Sequence, residues 1–123
     1  VEPRILVSVK KVLNLPEADT SFDVDITMHI NSALARLNQL GIGPAEGFMI
    51  EDDTDTWDAF IGGDPRWSQI RTYVYMSVRL VFDTPSTPYA LASMEKQIEK
   101  LEWLLNVERE GRSWQPPVVS ELS

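Results

Sequence analysis

"RTYVYMSVRLVFDTP", residues 71–85, is the stretch on which the fold turns. Tyr73, Val74, Tyr75, Met76, Val78, Leu80, Val81 and Phe82 crowd together there, broken only by Ser77 and Arg79. The alternation of Val74, Met76, Val78, Leu80 and Phe82 suits a strand, and so does the composition. Asp64 followed by Pro65 argues the other way, as an N-cap with proline at the first helical position. From that start Trp67, Ile70, Val74, Ser77, Val78 and Val81 fall on one face. The run from 66 to 82 is also about three times the usual strand length. We read it as a helix, apolar on nearly every side, in a chain with little interior to hide it.

Beyond it, "DTPSTP" is a turn, and Thr87 caps a helix with Pro88 at its first position. Leu91, Met94, Ile98, Leu101 and Leu105 then recur at intervals of three and four. That narrow seam has the spacing of a coiled-coil edge, and packing on the domain's own core explains it equally. Gly111 is read as the end of this helix. In "GRSWQPPVVSELS", Pro116 and Pro117 impose an extended conformation, and no later element follows to bury Trp114, Val118, Val119 and Leu122. Disorder in isolation and docking on a partner are both open for this tail.

Toward the N-terminus, "TWDAFIGG" reads as one or two helical turns anchored by Trp57, Phe60 and Ile61, with Asp53 or Thr54 as its cap. "GIGPAEGFMIEDDTD", residues 41–55, is a loop with a short extended piece at Phe48, Met49 and Ile50. Residues 21–40 form a helix on the repeat of Phe22, Ile26, Ile30, Ala33, Leu34 and Leu37. Thr20 and Asp23 make a capping-box pattern, and Gly41 closes the helix in the left-handed conformation. Residues 3–15 form a short helix from Pro3 to Pro16, with Ile5, Val9 and Val12 on its stripe. The sum is a mainly α protein: a small bundle of four to five helices over residues 1–110, a long loop, and an extended C-terminal arm over 111–123.

Composition narrows the function. No run approaches the roughly 18–20 apolar residues of a membrane span. The formal net charge of −8 places eleven bases among nineteen acids, which leaves no basic patch to displace the counterions of nucleic acid. With no Cys and a single histidine, His29, a thiolate zinc site or a Ser-His-Asp arrangement has nothing to work with. The acids Glu51, Asp52, Asp53 and Asp55 fail as an EF-hand, because the sixth position from Asp53 is Asp58 and the twelfth is Asp64. "GIGPAEG" lacks the Lys and Ser/Thr of a phosphate loop. Neither an enzyme nor a cofactor is indicated.

Four segments read together carry a resemblance. "INSALARLNQLGIG", "DDTDTWDAFIGGD", "IRTYVYMSVRLVFDTP" and "MEKQIEKLEWLLNVE", in that order, resemble the small head-tail connector (adaptor) proteins of long-tailed bacteriophages. Members carry a second proline after the aspartate of the third segment and an arginine after the tryptophan of the fourth; here those places hold Thr84 and Leu104. The resemblance implies a ring, as a dodecamer, under the portal of the virion neck, assembled in the host cytoplasm. Such a ring extends the DNA channel, lets DNA pass without stable binding, and gives the stopper or tail protein a platform.

On that reading a neighbouring subunit covers part of the 66–82 helix, with Val74, Val78 and Val81 facing inward and Tyr73, Tyr75 or Met76 at the subunit boundary. The arm of Trp114, Pro116, Pro117, Val118, Val119 and Leu122 reaches the portal. The loop of Phe48, Met49 and Ile50 faces the stopper or a neighbour, or else tucks onto its own helices. Glu51, Asp52, Asp53 and Asp55 are candidate channel-lining acids, repelling phosphates. The rival reading is a stand-alone helical homodimer, an interaction or regulatory protein paired through the 91–105 seam.

Overall fold

The computed structural model describes residues 2–113, and their side chains as far as 106. Five helices follow in order: α1 (Ile5–Val12), α2 (Asp23–Gln39), α3 (Trp57–Ile61), α4 (Trp67–Phe82) and α5 (Pro88–Ser113). The described residues hold no strand, only an isolated bridge between Arg4 and Thr56. The fold is mainly helical, as the spacing of apolar residues predicts.

The deciding stretch is helical because its hydrophobic face has a helix on either side. α4 packs on α2 and on α5 and runs antiparallel to both. At one end Phe82 meets Phe22 edge-on, ring centroids 5.3 Å apart. Toward the other, Tyr73 and Arg36 converge on Glu102. Ile70, Tyr73, Val74 and Val78 are buried. At roughly 1.5–3 kcal/mol for each fully buried apolar side chain, this face outweighs the weak helix propensity of its valines and tyrosines. α4 starts later than the Asp-Pro signal implies: Arg66, not Asp64, is at its N-cap with no side-chain bond, and Pro65 lies outside the helix. Asp64 Oδ1 instead accepts the Arg66 N–H at 2.8 Å in the turn that leads into α4.

The helix enclosed on all sides is α1, not α4. Six consecutive residues, Ile5 to Lys10, are buried. Its entry is fixed by short backbone bonds, Ile5 N–H to the Asp55 carbonyl and Trp57 N–H to the Pro3 carbonyl, both 2.9 Å. The two polar side chains in that run are satisfied. Ser8 Oγ donates to the Ile5 carbonyl and accepts the indole N–H of Trp57 at 2.8 Å. Lys10 donates to the carbonyls of Glu17 and Asp19 and lies 2.9 Å from Asp23 Oδ1.

Caps repeat the sequence signals in part. Gly41 at φ 85° closes α2, with Ile42 N–H reaching the Leu37 carbonyl and Gly41 N–H the Asn38 carbonyl, the paired bonds of a Schellman ending. Thr87 Oγ1 accepts the Ala90 N–H at the start of α5. Three other expectations need correction. α2 has Phe22 at its N-cap with no side-chain bond, so Thr20 caps nothing; Asp23 is occupied by Lys10 instead. α3 is capped by Thr56, whose hydroxyl accepts the Ala59 N–H, rather than by Asp53 or Thr54. α5 continues through Gly111 to Ser113.

The 41–55 loop is tied down rather than free. Asn31 on α2 receives Ile50 as a neighbouring strand would: its Oδ1 accepts the Ile50 N–H at 2.8 Å and its Nδ2 donates to the Ile50 carbonyl. Gly43, at φ 85°, passes so close to Phe60 that a Cβ would sit 2.5 Å from the ring. Ile42 and Ile50 are buried, and Phe48 packs on Phe60.

Candidate interaction surfaces

With the core closed, what remains outside can be read for function. Among the described residues no group of three or more metal-ligating side chains gathers, and no helix is long and apolar enough to cross a membrane. Among the described residues Val12, Phe22, Trp67 and Val81 are exposed, and two further groups of exposed apolar side chains form stripes.

The first lies on α2, directly opposite its core face. Val24 and Met28, one turn apart, are exposed, and Met49 from the loop is exposed as well. A groove of about 480 Å³ runs beside them, walled by Leu6, Asp23, Thr27 and the acids Glu51, Asp52 and Asp53. The acidic loop has a fixed shape. The Asp55 carboxylate accepts the backbone N–H groups of Glu51 and Asp52 at 2.7 and 3.2 Å. Asp52 Oδ1 accepts the N–H and hydroxyl of Thr54, and these bonds hold the Asp52 carboxyl below its ordinary value. Asp55 is therefore a brace for the loop, while Glu51 and Asp53 stand in solvent.

The second stripe is on α5. Of its seam, Ile98, Leu101 and Leu105 turn toward the chain's own core, with Leu105 fully buried, so that part is not free for a dimer partner, while Leu91 and Met94 are half-buried. The opposite side of the helix carries Tyr89, 86% exposed, and Trp103, 62% exposed. Lys96 and Lys100 fall between them on that face.

Both helices are held to α4 by one polar junction. Glu102 accepts from Arg36 at 3.0 Å and from the Tyr73 hydroxyl at 2.5 Å, joining α2, α4 and α5. Burial raises the Glu102 carboxyl, but the bonds from Arg36 and Tyr73 outweigh it and bring it below its ordinary value. Burial, reinforced by the Glu102 carboxylate, pushes the Tyr73 phenol up. Near the N-terminus Arg4 holds the Glu2 carboxyl at about 2. Groups with lowered carboxyl values stabilise the fold above the unfolded value and lose that contribution as pH falls through the folded one. The melting midpoint should thus be level from neutrality to about pH 5 and decline from about 4.3 toward about 2. Glu102→Gln, which keeps an acceptor, should flatten part of that decline, by less than about 1 kcal/mol because the pair is partly solvated. Melts followed by circular dichroism across this range test it, and an unchanged acid slope in Glu102→Gln would remove the junction from the account.

The sequence-predicted sites divide. Tyr73 is only 3% exposed and offers a neighbour no surface, while Val81, expected inside, is 55% exposed. Tyr75 and Met76 are half-buried. Of the loop, Met49 faces outward, Ile50 is buried and Phe48 half-buried. Trp114, Pro116, Pro117, Val118, Val119 and Leu122 lie outside the described residues. The outward stripe of α5 escaped the sequence reading, although Tyr89, Lys96 and Trp103 share one face of the helix that the seam defines.

A family model described as phage connector protein matches residues 5–112, nearly the full helical portion. No curated protein and no solved structure matches the chain.

Proposed function

This chain belongs to the phage connector protein family, and on that premise we propose that copies of it close into a ring of about a dozen beneath the portal vertex. Its general role is that of a head-tail connector, a structural protein of virion assembly rather than a member of an enzyme family. In the proposed ring, each subunit extends the DNA channel and presents a platform to the stopper or tail protein below. The observation that carries this reading is the pair of outward stripes, on α2 and α5, left by a chain whose own core is already closed. Exposed apolar faces of that kind mark contacts with other proteins. Exposed Val81 and half-buried Met76 of α4 add to the surface a neighbour covers, with Tyr75, which packs on Trp57, at its margin.

The charge suits passage of DNA. About a dozen copies at −8 each carry close to a hundred negative charges. Such a wall repels phosphates, so the genome moves without the counterion-releasing contacts that would hold it.

The arm beyond Ser113 is the element we assign to the portal, with Trp114, Val118, Val119 and Leu122 as anchors. A proline-stiffened extended segment loses little entropy on docking to a sheet edge or groove. Deleting residues 114–123 is expected to leave the helical melt unchanged and to abolish co-sedimentation with portal-bearing capsids. Undiminished co-sedimentation of the truncated chain would refute the assignment.

A further inference from the structure

We infer that the two outward stripes are the two halves of one contact, the α5 stripe of one copy seating in the α2 groove of the next. The inference rests on the ring reading above and names the surfaces that close it. Charge identifies the occupant. Of the bases with described side chains, Arg4, Lys10, Lys11, Arg36, Arg66 and Arg79 each lie beside a carboxylate of the same chain. Arg71 is taken up by the Glu2 carbonyl and lies against the rings of Trp57 and Trp67. Among the described residues, Lys96 and Lys100 have no such partner, and both stand on the α5 stripe between Tyr89 and Trp103. Glu51 and Asp53, likewise without a cation among the described residues, rim the groove beside Val24 and Met28.

From Tyr89 to Lys100 the α5 stripe is lined by lysines and no carboxylate, with Glu99 adjoining only its Trp103 end, whereas the α2 groove is lined by carboxylates. Neither fits a second copy of itself. α5 on α5 brings lysines together and groove on groove brings carboxylates together, so a two-fold dimer through either face is opposed by like charge. The pairing that satisfies both is head-to-tail, which propagates around a ring and closes by rotation. Tyr89 and Trp103 have the character of interface anchors, large amphipathic rings about 21 Å apart along the helix. This places Glu51 and Asp53 at the subunit boundary rather than in the lumen.

The absence of cysteine makes the contact directly testable. Met28→Cys and Ala92→Cys, both at exposed positions, are placed in one chain and oxidised, in concentrated solution and on portal-bearing capsids. The expected product is a ladder of disulfide-linked oligomers, with neither single variant producing one. Adding Lys96→Glu and Lys100→Glu should abolish the ladder, and adding Glu51→Lys and Asp53→Lys to that chain should restore it. A single-cysteine variant that cross-links to dimers shows a two-fold contact and overturns the inference. Absence of a ladder in both settings overturns it too. If such a chain still joins portal-bearing capsids, only this pairing falls; if it does not join, the connector reading falls with it.

Discussion

Trp57→Ala is expected to unfold with about 3–5 kcal/mol less free energy than the parent chain, the cost typical of truncating a buried large aromatic. A chain of 123 residues lies between the sizes for which each kcal/mol shifts the midpoint by roughly 4–8 °C and by roughly 2–4 °C, so the melt should move down by about 10 °C or more. Trp57 sits on α3, a helix of five residues too short to persist without packing. Its ring is the means by which α3 attaches to the rest. The indole N–H reaches Ser8 on buried α1, Tyr75 of α4 approaches edge-on at 5.9 Å, and the Arg71 guanidinium lies 5.0 Å from the centroid. Truncation leaves a cavity between α1 and α4 and strips Arg71 of one aromatic face. Trp57→Phe, which keeps a ring but not the donor, should lose less, about 1–3 kcal/mol. Urea unfolding of the three chains measures both. A loss below about 1 kcal/mol in Trp57→Ala would mean that α3 is held by something other than this side chain.

The positions of the helices were legible because each has an apolar face of the right period and a stop signal beside it. Gly41, Gly62 and Pro88 mark boundaries through chain geometry alone. Polar placement was less legible, because it depends on which elements meet. Nothing near "SVKK" distinguishes Lys10 from Lys11, yet one is buried against the carbonyls of the 17–19 turn and the other is exposed beside the Glu2 carboxylate. Thr20 has the spacing of a cap, but Lys10 recruits Asp23 from the same motif. Tyr73 looks like a surface tyrosine until the fold brings Glu102 to its hydroxyl. Val81 is assigned inward by helical phase, and it lies in the last turn of α4, at the edge of the α2 contact, so phase alone misplaces it. The same logic hid the α5 stripe: a seam reveals which side of a helix is inside, whereas the use of the outside depends on what every other lysine in the chain is already holding.

The adjacent lysines give the sharpest test of that last point. Lys10→Met is expected to destabilise the fold by about 3 kcal/mol, and Lys11→Met to change it by no more than about 0.5 kcal/mol. The side chain of Lys10 is 3% exposed and that of Lys11 62%. Removing the Lys10 ammonium leaves the Asp23 carboxylate, itself only 27% exposed, without its cation, and two carbonyls without their donor. Methionine fills a similar volume, so the loss reports the uncompensated polar groups rather than a cavity. Lys10→Met with Asp23→Asn should recover part of the loss, since the stranded charge is gone, and the coupling between the two positions follows from the double-mutant cycle. Both single variants lower the net positive content equally, so a general charge effect predicts the same change for each. Equal midpoints in thermal and urea unfolding would therefore contradict the buried placement. The consequence reaches function: a lysine committed to tying α1 to the 17–19 turn and to α2 is unavailable to a passing phosphate, and its neighbours Arg4 and Lys11 are likewise engaged with Glu2. An acidic chain that spends its bases on its own carboxylates and carbonyls offers a phosphate little to hold, and among the described residues it leaves Lys96 and Lys100 as the cations on which the proposed contact between copies draws.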